Sequence, residues 1–224
     1  MNLTEPPLIK MYDLVLKPEK QAEYLVYGKR NLELSIQTEP QTLAMHALQK
    51  ENDAFHKVVF EIYTDLAAQK RHQNAPQFKK YAAFAKDALV EKNETELIPE
   101  LLLEKIDFLS GKAHAPLLVR LARLKIKDRH MAAFKAAVFS EMRQAIALET
   151  GVLALYATSL KNEPDVWLFL EFYQNEVAYQ AHLKTPHFEE YLAKTKDALE
   201  KKELQTLREE TLVSQGNIDY ERKR

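Results

Sequence analysis

The stretch EPQTLAMHA beginning at Glu39 returns as ETGVLALYA beginning at Glu149, and the offset of 110 residues holds well beyond that pair. Glu61 matches Glu171, Tyr63 matches Tyr173, His72 matches His182, Pro76 matches Pro186, Phe78 matches Phe188 and Tyr81 matches Tyr191. Lys86-Asp87-Ala88-Leu89 returns intact as Lys196-Asp197-Ala198-Leu199, and no gap is needed between Glu39 and Leu89. Chance does not hold one register across such varied residue types, so the chain is two homologous units. The join falls near Ser110-Gly111-Lys112-Ala113. The units are therefore expected over 1–109 and 114–216, with a charged C-terminal tail over 217–224.

Each unit reads the same way. Apolar-rich runs over 7–17 and 116–127 resemble strands, and helices begin at Pro18-Glu19 and Asp128-Arg129. Tyr24, Gly28, Leu32 and Ile36 make a helical stripe matched by Phe134, Val138, Met142 and Ile146. Runs over 41–50 and 55–64, joined through Glu51-Asn52-Asp53, predict a hairpin, as do 151–161 and 165–174 in the second unit. Short helices capped by Asp65 and Asn175 follow, and after a Pro second helical segments run over 76–92 and 186–202. Short last strands are expected around Leu97–Lys105 and Leu207–Ser214. The order is βαββαβ twice, an α+β class of two tandem ferredoxin-like units. A sheet with helices on one side leaves its other apolar face bare, so the two sheets are expected to pack together as an intramolecular pseudo-dimer. Higher association through the helices stays open.

Composition narrows the function classes. The 224 residues are 46% hydrophobic, enough for packed cores, and 32 Lys+Arg against 33 Asp+Glu leave a net charge of −1. Such a balance gives no electrostatic case for nucleic acid or an anionic membrane. There is no Cys, which removes disulfides, thiol catalysis and thiolate metal sites. With four Gly and no G-x-G-x-x-G or Walker pattern, dinucleotide binding has no support. The first 30 residues do not read as a signal peptide and no run is long enough to span a membrane, so a cytoplasmic protein is the expectation.

At Glu39-Pro40-Gln41-Thr42-Leu43-Ala44, at Glu61-Ile62-Tyr63, and from His72 through Pro76-Gln77-Phe78-Lys79-Lys80-Tyr81, the chain resembles the antibiotic biosynthesis monooxygenase (ABM) superfamily of dimeric α+β barrel proteins. The second copy carries the same resemblance at 149–154, 171–173 and 182–188. What the resemblance implies is the barrel, and a reaction among those of the superfamily: oxidation of quinols or polyketides by O2 without a cofactor, or haem degradation. The haem-degrading pattern needs an Asn on the first strand, where this chain has Met11 and Leu121. It needs a ligating His where this chain has Ala82 and Leu192, and only its aromatic persists, as Tyr63 and Tyr173. Without an axial nitrogen that branch loses its anchor.

Cofactor-independent oxygenation needs a base, donors that stabilise a substrate anion, and an apolar pocket. His72 and His182 are the histidines kept in both copies, and each serves either as a base or as a polar cap for the following turn. Glu61 and Glu171 sit mid-strand among apolar residues, where a bare carboxylate is costly, so each needs a partner, the repeated His or a backbone donor. A Glu–His pair would orient a base or brace the fold. These four are the candidate catalytic residues. Tyr63 and Tyr173 are candidates for holding a phenolic substrate, or else packing residues.

The copies diverge at His46 against Tyr156 and at Lys57 against Trp167, so two pockets would differ; His46, Tyr156 and Trp167 join the substrate-binding candidates. His187, where the first copy has Gln77, is another. Its H-x-x-x-x-H spacing with His182 matches no metal signature and comes without a clear carboxylate set. No metal and no bound cofactor are therefore expected. The leading reading is a monooxygenase, an oxidoreductase, acting with O2 on a small apolar or aromatic quinol-like molecule. The alternatives are a non-catalytic small-molecule-binding or stress-response protein, and an isomerase or lyase using a His base.

Overall fold

The structure, a computed structural model, describes residues 1–106, 108–109 and 116–223; the expected join at 110–113 lies outside the described residues. In the first unit β1 (Leu8–Leu16) leads to α1 (Gln21–Thr38), the hairpin β2 (Thr42–Lys50) and β3 (Asp53–Tyr63), then α2 (Leu66–Asn74), α3 (Pro76–Ala88) and β4 (Leu89–Glu104). The second unit repeats this as β5 (Leu118–Ile126), α4 (Met131–Leu148), β6 (Val152–Leu160), β7 (Val166–Tyr173), α5 (Glu176–His182), α6 (Pro186–Thr195) and β8 (Leu199–Ser214). The expected caps are present: Asp65 accepts from the Ala68 amide at 2.7 Å and Asn175 from the Ala178 amide at 2.9 Å. Among the described residues no helix is long and apolar enough to cross a membrane.

The second helical segments were expected to run to 92 and 202, but they end at Ala88 and Thr195. The last strands start correspondingly early and reach 16 residues each. The reason is the bare edge of the first strand in each unit. Residues 89–97 of β4 pair with β1, and 199–207 of β8 pair with β5, and these ladders override the helix propensity of the Lys- and Glu-rich sequence.

The second half of each long strand crosses to the other unit. β4 pairs with β6 from Leu97↔Leu160 to Glu104↔Ala154, and β8 pairs with β2 from Leu207↔Lys50 to Ser214↔Ala44. With β1 also on β4, the order β1-β3-β2-β8-β5-β7-β6-β4 closes on itself. The expected pairing of two sheets is thus realised as one barrel whose edges are joined. Pro99, which has no N–H to give a ladder, sits where the β4–β6 register shifts.

The C-terminal segment, expected as a charged tail, contributes β9 (Asp219–Glu221). It pairs with Leu101–Leu103 of β4 beyond the reach of β1, and Ile218 and Tyr220 bury their side chains there.

Strand alternation sends side chains to three cores. Ile9, Met11, Phe60, Leu121, Leu170 and Phe172 fill the barrel interior, which both units share. Tyr12, Leu14, Met45 and Val59 face outward beneath the helices of the first unit, against Tyr24 and Leu32. Leu124, Leu155, Trp167 and Phe169 do so in the second, against Phe134, Val138 and Met142. The crossing halves of β4 and β8 join these outer cores, as Leu101 and Leu103 do under α4 and Val213 under α1, but the cavity on each helix side is lined by one unit alone.

Candidate active site

The first unit holds a cavity of about 360 Å³ between the outward face of β1 and β3, the helix α3 and the first half of β4. Tyr12, Leu14, Val59, Phe78, Tyr81 and Ala82 give it apolar and aromatic walls, and Glu61, Lys92 and Glu94 supply charge. The equivalent space in the second unit is only about 70 Å³. Two of its lining residues are bulkier than their counterparts in the first unit: Phe169 for Val59 and Val138 for Gly28.

Glu61 was expected to pair with His72 or a backbone donor. It accepts instead from the hydroxyl of Tyr63, two residues on and on the same strand face, at 2.7 Å. The second unit repeats this with Tyr173 and Glu171 at 3.0 Å. Burial pushes the Glu61 carboxyl above its ordinary value, against the pull of His72, the Tyr63 bond and Lys92. Burial does the same to Glu171, against His182 and the Tyr173 bond. Tyr63 and Tyr173 are themselves fully buried, with hydroxyls held far above the phenol range by burial and by those carboxylates.

His72 is fully buried and lines no part of the first cavity. Its Nδ1 lies 3.1 Å from Glu39 Oε2 and 3.2 Å from Ser35 Oγ, while Gln77 and Thr42 donate to the same carboxylate at 2.6 and 2.8 Å. The His72 Nε2 has no hydrogen-bond partner among the described residues. In the second unit His182 borders the smaller cavity, with Nδ1 2.9 Å from Glu149 Oε1, which also lies 2.7 Å from His187 Nε2. Burial works against a charged His182, but the Glu149 bond and the charges of Glu141, Glu149 and Glu171 hold its pKa above the ordinary value. Glu141 carries no equivalent of Glu149's bonds, and burial pushes its carboxyl up to about 8.

Of His46 and Tyr156, both expected beside pockets, Tyr156 is among the residues lining the smaller cavity and His46 lines neither; their side chains meet inside the barrel. The His46 Nε2 lies 3.1 Å from the Tyr156 hydroxyl, which donates to Glu104. Ser214 Oγ donates to the same carboxylate at 3.0 Å and the Ile218 amide at 3.2 Å. Both His46–Tyr156 and Glu104–Ser214 are pairs 110 residues apart, so equivalent positions of the two units touch here. Burial lowers the His46 pKa to about 3, leaving a neutral ring. Trp167 lines neither helix-side cavity; it packs edge-to-face on Phe134 at 5.4 Å within the second unit's core. Its counterpart Lys57 is buried too, ion-paired with Glu210 and bonded to Gln49 at 2.9 Å.

Tyr12, Phe78, Tyr81 and Lys92 escaped sequence reasoning as site residues. The aromatic repeat at Phe78/Phe188 and Tyr81/Tyr191 carried a signal for two of them. Lys92 carries none, because the Lys- and Glu-rich sequence around it favours the end of a helix where the structure has β4.

Against known proteins, the model of the antibiotic biosynthesis monooxygenase family matches residues 8–83 and again 117–194, and the chain belongs to that family as a tandem member. A solved "putative monooxygenase" from Lactobacillus acidophilus NCFM is 25% identical, with a TM-score of 0.90 over 97% of this chain and all (100%) of that one. Another so described, from Fusobacterium nucleatum subsp. nucleatum, is 19% identical and matches at 0.89 over 99% of this chain and 100% of its own, which speaks for the fold alone. No protein of curated function matches the chain.

Proposed function

We propose that the first-unit cavity oxidises a small phenolic or quinol-like molecule with O2, and that Glu61 is its base. The observation that carries this reading is a buried carboxylate, raised in pKa, at the wall of an aromatic-lined cavity in a chain of this family. A volume of 360 Å³ sits near the lower end of the range for small-molecule sites, about 300–1,000 Å³, and suits one or two fused rings.

Glu61 takes the phenolic proton, and its raised pKa brings it closer to that of a phenol than an ordinary carboxylate is. Lys92, near the Tyr12 ring at 5.1 Å, stabilises the resulting anion. The anion delivers electrons to O2. Overall, a phenol with a free para carbon plus O2 gives the quinone and water, the four electrons lost by the ring being those that reduce O2. Tyr63 fixes the Glu61 carboxylate, and His72 braces Glu39 behind it.

Oxygen uptake by the purified chain with quinols and hydroxylated naphthalenes tests this. Uptake above the spontaneous rate is expected, with one O2 consumed per quinone formed. Activity should fall as acid protonates Glu61, through an apparent pKa above that of an ordinary Glu. No uptake across the panel contradicts the reading, and turnover without O2 would move the site to isomerase or lyase chemistry.

A further inference from the structure

The second unit has rebuilt the surroundings of its repeated Glu–His pair. In the first unit Glu39 is satisfied by neutral donors from Thr42, Gln77 and Ser35 around His72. At the equivalent positions the second unit has Val152, His187 and Ala145, so Glu149 has lost two hydroxyls and gained an imidazole. Asn31 becomes Glu141 on α4. The first unit has two imidazole or carboxylate groups at these positions, and the second has four.

Those four converge. One donor atom each from Glu141, Glu149, His182 and His187 lies within 4.8 Å of all the others. A tetrahedral ion with bonds of about 2.1 Å spaces its donors roughly 3.4 Å apart. His182 Nε2 and Glu141 Oε1 stand 3.7 Å apart, too far for a hydrogen bond and close to that spacing. The Glu141 Oε1 is buried without a hydrogen-bond partner among the described residues and faces the cluster, on a side chain only 9% exposed. The 2.7 Å contact of Glu149 with His187 Nε2 is a proton-sharing distance, which an ion would open by about half an ångström, while the 2.9 Å contact on His182 is to Nδ1, the ring nitrogen that an ion held through Nε2 leaves on Glu149. Two carboxylates and two neutral imidazoles neutralise a dication, and Glu149, only partly buried, gives a way in from solvent.

We propose that Glu141, Glu149, His182 and His187 form a binding site for a divalent first-row transition-metal ion such as Zn2+, present in the second unit and not in the first. Imidazole nitrogens with carboxylate oxygens favour such an ion over Mg2+ or Ca2+, which take oxygen ligands. The site does not depend on the oxygenase reading, because it lies in the other unit and is read out by binding.

Titration calorimetry of the full, metal-free chain with Zn2+ tests it, alongside Co2+ followed by its visible absorption. The expected result is one equivalent bound, at a dissociation constant on the order of micromolar or tighter. The variant Glu141→Asn/His187→Gln carries the first unit's own residues at both positions, and should weaken binding at least about tenfold. If that variant fails to fold, His187→Gln alone serves the same comparison. Absence of stoichiometric binding, or binding unchanged by the substitutions, would overturn the proposal.

Discussion

The two units share a fold and a Glu–Tyr–His framework, yet they have spent their divergence in opposite ways. The first keeps small residues such as Val59 and Ala82 over an open cavity and ties its histidine to one carboxylate, Glu39, that neutral donors surround. The second fills most of that space and gathers titratable groups at its border, where Glu141 and His182 line what is left. The shared barrel shows what a single chain permits. A symmetric homodimer must place identical residues across its axis. Here His46 meets Tyr156 and Glu104 meets Ser214, so a donor faces an acceptor in each pair.

Changes that carry one unit's residues into the other would sharpen this contrast. The largest stability effect belongs to Trp167, which fills the second unit's core where the first uses an ion pair. Trp167→Ala should destabilise by about 3–5 kcal/mol in denaturant unfolding. A cost below about 1 kcal/mol would mean that the core closes over the gap.

Next comes the interior network. Burial holds His46 near pKa 3 against an ordinary 6.5. Its contribution to stability is therefore complete above pH 6.5 and is lost as pH falls towards 3, because the unfolded chain takes up the proton first. His46→Gln should flatten the decline in stability over that window, and an unchanged slope would assign the acid sensitivity to other groups.

Filling the first cavity with the second unit's residue, Val59→Phe, should lower kcat/KM by about tenfold or more, equivalent to roughly 1.4 kcal/mol, with little change in stability. The smallest effect is at Gly28, in the interior of α1, where an added Cβ would meet only Tyr24 Cε1, at 3.9 Å. Gly28→Ala should stabilise by about 0.5–1 kcal/mol, measured by thermal unfolding.

Much of this organisation could be read from the chain. The 110-residue repeat carries the tandem units, and the bare sheet faces carry their pairing. The caps at Asp65 and Asn175 and the need of Glu61 for a partner follow from local chemistry. What escaped depends on closure of the barrel. Helix propensity hid the early starts of β4 and β8, because only the exposed edge of β1 or β5 makes a strand better there. The meeting of His46 with Tyr156 requires the pseudo-twofold axis, which no local pattern encodes. Glu141 sits 41 residues from His182 and reaches it only through the packing of α4 over the sheet.

The central claim is that the two units, alike in framework, differ in role. Oxygen uptake by Glu61→Gln and Glu171→Gln, measured side by side on a substrate the parent chain oxidises, tests it most directly. Loss of a general base typically costs about 10²- to 10⁴-fold, so Glu61→Gln should lose that much while Glu171→Gln stays within a fewfold of the parent. Equal losses in both, or a loss confined to Glu171→Gln, would contradict the assignment of the chemistry to the first unit.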